Sequence, residues 1–461
     1  MNRILSGAII IALISSCTMI PKYSRPKSPV AETFSGIDSA EQIQAVSSIK
    51  WQEFFKSADL QKIIQTALDN NRDLRVAVLN IDAARALYRV SQSNLMPKID
   101  AKASYTKQEI PANIGFVGFQ NSRYDANIAS AAFEIDLFGK IRSSNKMALE
   151  SFFATTEAKN AAQIALIAEV ANAYLQFLAD QKIWQLAKDT VAAEEKSFEM
   201  IKKRFEFGII SGLDLSGARI NIENAKSTQA LYARKTEQDK NALLLLMGVA
   251  SFELLEKPAK LEDVELMANL PIGLKSDVLL MRPDVMQAEH QLKAANANIG
   301  VARAAFFPTI SLVGSAGYAS SDLSNLFSSS SAAWSFTPQV SLPIFQGGKN
   351  KANLNYAKIS KNIYIAKYEK AIQTAFREVA DQLAAQKNLD QQMQAETNLA
   401  DAANQAYTIS NARYREGIDS FLNVADAQKQ LFLAEQSKIN LQKEKLANLT
   451  QLYKVLGGGI L

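Results

Sequence analysis

Apolar residues recur along this chain with two different periods, and the change from one to the other marks out its elements. Ile99, Ala101, Ala103 and Tyr105 alternate with Asp100, Lys102, Ser104 and Thr106, the period of two that a strand with two unlike faces requires. From Gly139 to Gly208, and again from Gly348 to Gly417, no proline interrupts the chain and the period becomes helical. Ile164, Ala168, Ala171, Leu175 and Leu178 are spaced 4, 3, 4, 3, with Ile167, Val170, Tyr174 and Phe177 as a second apolar row beside them. Ile365, Tyr368, Ile372, Ala375 and Val379 repeat the pattern. Each stretch, at 1.5 Å per residue, predicts a helix of ~100 Å. Two apolar rows imply neighbours on both sides, as in a wall of helices; a bundle with a broad core face fits the pattern equally well.

The chain is duplicated, with an offset of about 210 residues. Asn71 to Ile99 aligns with Met281 to Ile310, placing Asp73 over Asp284, Ala84 over Ala295 and Pro97 over Pro308. DLFGK (Asp136 to Lys140) lies opposite PIFQGGK (Pro343 to Lys349), and RFEFG (Arg204 to Gly208) opposite RYREG (Arg413 to Gly417). Each half predicts a helix (60–95, 276–306) ended by proline, a strand hairpin (98–137, 309–345), a long helix (139–207, 348–416) and a returning helix (213–247, 420–456). The hairpin tips are Asn113 to Asn121 and the serine-rich Ser321 to Ser331. The expected organisation is a signal over 1–16, an extended N-terminal arm over 17–58, a first repeat over 59–270 and a second over 271–461.

Composition narrows the function classes. Among 461 residues, 19 glycines and 11 prolines leave few helix breakers, and 51 Lys+Arg against 46 Asp+Glu is too even for a nucleic-acid footprint. One cysteine excludes an intrachain disulfide framework. A single histidine, His290, excludes a His-rich metal site and leaves no Ser/His or Cys/His catalytic pair in view; no enzyme activity, metal or cofactor is expected.

At the N-terminus, Arg3 precedes an apolar run from Ile4 to Ile14, too short to span a bilayer but suited to a secretory signal. Leu13-Ile14-Ser15-Ser16-Cys17 resembles the bacterial lipoprotein box, which implies acylation of Cys17; an ordinary signal peptide is the alternative. Thr18 at the next position implies the outer membrane by the same resemblance. No other stretch predicts a transmembrane helix, so a membrane crossing would use strands. Four strands are too few to close a barrel, and open edges in lipid are costly, so the chain is expected to pool its strands with copies of itself. Three copies give twelve strands and, with four helices each about 10 Å apart, a helical tube with a lumen of roughly 25 to 30 Å.

CTMIPKYSRP (Cys17 to Pro26), the duplicated helix-hairpin-helix order and the paired motifs RFEFGIISGLDLSGA and RYREGIDSFLNVADAQ resemble the TolC/OprM-type outer-membrane efflux channels, closest to their OprM-like lipoprotein branch. The resemblance covers essentially the whole chain. It implies an α+β membrane protein: a homotrimer with a 12-stranded transmembrane β-barrel continuous with a long periplasmic α-helical barrel. It further implies a passive exit duct for small molecules, joined through a periplasmic adaptor to an inner-membrane pump, expected to be of the RND type.

The resemblance also assigns sites. Arg204, Phe205 and Gly208, with Leu213 and Asp214 beyond, and Arg413, Tyr414 and Gly417 in the second half match the periplasmic tips that meet the adaptor; read alone, each glycine is a helix stop. Leu422 and Asp426, four residues apart on one helix face, match rings that narrow the periplasmic mouth, while a solvated face is the plain alternative. Asn423 stands where TolC carries a second acid, and Asp419 where it carries a latch arginine. Tyr414 is therefore expected to hydrogen-bond near Asp214, with Arg415 as a substitute partner. His290 is expected to be structural. The competing class is a non-conducting periplasmic coiled-coil lipoprotein; a periplasmic adaptor fits less well, having one helical hairpin between β domains.

Overall fold

The structure, a computed structural model, describes residues 18–34, 49–110, 119–267 and 276–458; the N-terminal signal, Cys17 and most of the first hairpin tip lie outside these. The elements in order are α1 (Trp51–Phe54), α2 (Ala58–Asn70), α3 (Arg72–Ser93), β1 (Ile99–Ile110), β2 (Phe119–Ile135), α4 (Lys140–Glu206) and α5 (Gly212–Met247). There follow α6 (Pro283–Ala304), β3 (Thr309–Ser320), β4 (Ala332–Ser341), α7 (Lys349–Arg415) and α8 (Phe421–Val455). Gly208 and Gly417, 209 positions apart, both follow a 67-residue helix and both have positive φ. The duplication is therefore present in the backbone as well as in the sequence.

The chain divides into two compact units. One comprises Met1–Lys27, Asn80–Thr156 and Gln287–Glu369. The other comprises Ser28–Leu79, Glu157–Met286 and Lys370–Leu461. The first unit holds a four-stranded antiparallel sheet in the order β1-β2-β3-β4, in which Tyr105 faces Tyr124 across the first hairpin and Ile310 faces Val340 across the second. The β2–β3 ladder has a register shift between Ser130 and Phe133, just past the last β1 partner, Ser130 opposite Ile99. β1 and β4 are the two edges. Every residue of β4 is exposed, and so is β1 from Ile99 to Glu109. The alternation in β1 thus buries neither face within a single chain.

In the same unit the N-terminal arm lies against α6. Arg25 and Tyr23 donate to Glu289, whose side chain is 7% exposed, and Lys293 pairs with it from one turn further on. Burial works to raise Glu289, but the Arg25 and Lys293 hydrogen bonds outweigh it and hold the carboxyl below its ordinary range. A side chain at Gly300 would meet Ser143 Oγ at 2.6 Å and Ile20 at 2.7 Å, so only glycine admits the arm there. His290 bonds through Nδ1 to Glu150 (2.7 Å), which also takes Lys146.

The second unit is where the apolar rows are satisfied. Ile164, Ala168, Ala171, Leu175 and Leu178 are buried, and so are Ile167, Val170, Tyr174 and Phe177 beside them. One 18-residue window of α4 is long and apolar enough to cross a membrane by composition, contrary to the expectation that no such stretch exists. These buried side chains account for it as interior packing.

Three sequence expectations need correction. The helix expected over 60–95 is two helices, because Asn71 caps α3 through Leu74 N–H (2.9 Å) while its amide donates to Leu246 C=O (2.8 Å). That expected over 276–306 begins as a 3₁₀ turn, Ser276–Met281, and becomes α-helical only at Pro283, the position where a missing N–H costs nothing. The stretch 17–58 is not simply an extended arm. Phe34 stacks on Phe376 at 4.6 Å, and Phe54 is fully buried, stacked on Tyr453 at 4.2 Å.

Candidate functional site

The two turns between long and returning helices are built alike. Gly208 (φ 70°) and Gly417 (φ 74°) occupy the left-handed position after the helix. Ile209 N–H donates to Arg204 C=O and Gly208 N–H to Phe205 C=O, both at 2.9 Å. In the second half Ile418 donates to Arg413 (2.9 Å) and Gly417 to Tyr414 (3.0 Å). These are the paired bonds of a Schellman cap, which satisfy the last carbonyls of each long helix.

Packing draws the two turns into one cluster. Ile201, Ala218, Phe421 and Val424 are buried there, with Tyr407, Tyr414, Phe198 and Leu215 against them. The Arg204 guanidinium lies 5.1 Å from the Tyr414 ring centroid, and Tyr414 meets Phe421 edge-on at 5.7 Å. Arg204 and Tyr414 are therefore brought together across the two turns, whereas Arg413 pairs within its own turn and Leu213 is 82% exposed. Phe205 is also exposed.

The returning helices start differently. Ser211 caps α5 in a capping box: Asp214 N–H donates to Ser211 Oγ, and the Asp214 carboxylate accepts from Ser211 N–H and hydroxyl. Ser420 makes no such bond at the start of α8. There Arg413 grips Asp419 instead, Nε to Oδ2 at 2.6 Å. The hydrogen bond and charge of Arg413 hold Asp419 below the usual carboxylate range, and Arg413 is raised in turn.

This arrangement corrects the expected partnership around Asp214. Its carboxylate is occupied by its own capping box, and the Tyr414 hydroxyl is buried with no hydrogen-bond partner among the described residues. Arg415 forms no ion pair with it. Asp419, which stands where TolC carries a latch arginine, pairs with Arg413 of its own turn instead, a pairing that the motif spacing did not disclose.

Leu422, Asn423 and Asp426 lie together on the exposed side of α8, opposite buried Phe421 and Val424. Sequence reasoning missed three neighbours. Phe207, Ile209 and Ile418 are 80%, 69% and 62% exposed, so the turns carry apolar side chains that a solvated loop does not need. The signal was present in the sequence as hydrophobic residues flanking each glycine. Among the described residues, no group of three or more His, Cys, Asp or Glu side chains is arranged to hold a metal.

The duplicated fold can now be set beside known proteins. The chain is 45% identical to the probable efflux pump outer membrane protein TtgC of Pseudomonas putida, over 99% of this chain and 96% of that one. A solved membrane protein from Pseudomonas aeruginosa superposes with a TM-score of 0.91 at 39% identity, covering 96% of this chain and 98% of that one. The MtrE outer membrane channel of Neisseria gonorrhoeae, in its open state, gives 0.88 at 38% identity, covering 96% and 99%. The family described as outer membrane efflux protein matches twice, over residues 63–249 and 274–458, once for each half. With both halves matched and relatives aligned over nearly its whole length, this chain belongs to the outer membrane efflux protein family.

Proposed function

We propose that this protein is the outer-membrane duct of a tripartite efflux system, a passive exit for small molecules across the periplasm and outer membrane. The reading is carried by one observation: an open four-stranded sheet with two free edges, in a chain whose two halves each add a long and a returning helix. Unpaired strand edges are untenable in lipid, and four strands do not close. Three copies, joined β4 to β1, supply a twelve-stranded barrel with no edge. At about 3.3 Å per residue even the shortest strand, β4 with 10 residues, crosses a hydrocarbon core of ~30 Å.

At the opposite end of each long helix, the two turns form the docking surface for a periplasmic adaptor, which links the duct to an inner-membrane pump of the RND type. Exposed Phe207, Ile209, Leu213 and Ile418 supply the apolar contact, while Arg204, Tyr414, Gly208 and Gly417 fix the turns that present it. Leu422 and Asp426, with Asn423 beside them, form the gate: three leucines meet at the axis and, one helical turn further from the tip, three carboxylates repel one another. Acylated Cys17 anchors the chain in the outer membrane. Support for this placement comes from the arm, which lays Met19 C=O beside Arg303 at the end of α6, five residues before β3 begins.

Conductance in planar bilayers tests the gate. The purified protein is expected to give small, mostly closed events, which Leu422→Ser or Asp426→Ala enlarges. Unchanged conductance in both variants overturns the gate, and absence of any pore overturns the duct.

A further inference from the structure

Between the turns and the opposite ends of the helices, α4, α5 and α8 enclose a cavity of about 440 Å³ that opens to solvent. Leu231 and Tyr232 of α5 and Phe432 and Leu433 of α8 give it apolar walls. Among its lining side chains is one carboxylate, Glu194 of α4, which is 5% exposed and makes no hydrogen bond or ion pair among the described residues. A carboxylate withdrawn from water without a partner is costly. The fold does not demand it. Stepping 209 positions, from Gly208 to Gly417, carries Glu194 onto Ala403, which is buried in α7 with a methyl group alone. The second half therefore builds the same stretch of helix without an acid.

A cavity with apolar walls at Leu231, Tyr232, Phe432 and Leu433, amides and hydroxyls between them, and one buried carboxylate without a partner complements a cation with an apolar body. We propose that this cavity is a binding site for organic cations, protonated or quaternary amines whose charge pairs with the Glu194 carboxylate while their apolar part lies against Phe432, Leu433 and Tyr232. The face of Phe432 adds cation–π attraction for the same charge. Gln436 donates to the Tyr232 hydroxyl, which fixes one wall across α5 and α8.

Other charges around the carboxylate set its competition. Lys429 lines the same cavity from α8 but stays exposed and unpaired with Glu194. From α7, Tyr407 lies close enough that burial first, and then the charge of Glu194, raises its phenol. The lining groups of α5 are neutral, while its Lys235 ammonium lies 4.6 Å from the Tyr232 ring centroid. Burial pushes Glu194 up to about 7, so a cation competes with a proton for it, and affinity rises between pH 6 and pH 8.

The test is calorimetric titration of the purified full-length protein in detergent with benzyltrimethylammonium at pH 8. Saturable binding in the millimolar range or tighter is expected. Glu194→Gln should weaken it at least tenfold, Lys429→Gln should strengthen it several-fold, and lowering the pH to 6 should weaken it several-fold. The proposal is overturned by lack of saturable binding, by equal affinity in Glu194→Gln, or by equal affinity for the uncharged isostere neopentylbenzene. Lys429→Gln also serves as the second variant: no gain in affinity there counts against the cavity even if Glu194→Gln fails to assemble. None of these readouts depends on pore formation, so this site and the duct stand or fall separately.

Discussion

The two halves of this protein share a backbone and differ in what they place on it. Helices α4 and α7 are each 67 residues long and end in the same glycine-capped turn, and a left-handed glycine closes each returning helix, Gly248 and Gly457. At matched positions the first half carries Asp180, Glu194 and Asp239 where the second carries Leu389, Ala403 and Asn448, all six of them buried or, for Asp239, partly so. Burial and the nearby Asp180 charge push Asp239 up to about 6, against the pull of Lys235 and Lys443. At these three matched pairs the first half stores acidic groups inside its helical wall and the second does not, although the second keeps partly buried acids of its own elsewhere, Glu396 and Glu435. What is common to both is what the backbone requires, and what is private to one is available for something else.

The largest expected effect comes from exchanging the private groups. Glu194 has a folded pKa near 7, above the 4.5 of an ordinary glutamate, so the folded state holds a proton that the unfolded chain releases, and stability falls as pH rises through that interval. Glu194→Gln should therefore stabilise the protein by up to about 3 kcal/mol above pH 7 and leave it unchanged below pH 4. Ala403→Glu should impose a comparable penalty above pH 7. Both are read by chemical unfolding at pH 8 and at pH 4. If Ala403→Glu is neutral, the two walls are not equivalent.

Next come the shared glycines. Gly208→Ala and Gly417→Ala should each cost about 1 to 2 kcal/mol, because the left-handed conformation alone is penalised. An added Cβ meets nothing within 4 Å at either site. Equal losses in amide protection at Ile209 and Ile418, measured by hydrogen exchange, check the equivalence.

The caps differ by less. Asp214→Ala removes half of a capping box and should cost about 1 kcal/mol, whereas Asn423→Asp offers α8 the acid its box lacks and should gain a few tenths. Thermal unfolding of both variants reads the asymmetry. Smallest is the Arg413–Asp419 pair, which lies at the surface. Asp419 is held below its ordinary pKa, so its contribution is present above about pH 4 and fades as pH falls through the depressed value. Asp419→Asn should abolish that pH dependence, and high salt should mimic it.

Pro308 and the serine-rich tip over Ser321 to Ser331 marked β3 to the residue and β4 nearly so, because such breaks are local to the chain. The long helices were equally visible, since proline is absent from them and glycine marks their ends. The break at Asn71 was not, because the capping bond to Leu74 N–H uses a side chain whose amide is held by Leu246 C=O, 175 residues away. The occupation of Asp214 by Ser211 was legible as capping-box spacing, Ser211-x-x-Asp214, though it was not drawn from the sequence. That of Asp419 by Arg413 was not, because it depends on side-chain geometry within a turn. The solitude of Glu194 was likewise invisible, since it depends on what α5 and α8 fail to offer.

The bare edges of the sheet have a consequence for the cell. A chain that contributes a third of a ring cannot be repaired by its neighbours, so copies with a damaged β4 poison their partners. With intact and damaged chains made in equal amounts and mixing freely, only about one assembly in eight contains three sound copies. Loss of function should therefore be dominant.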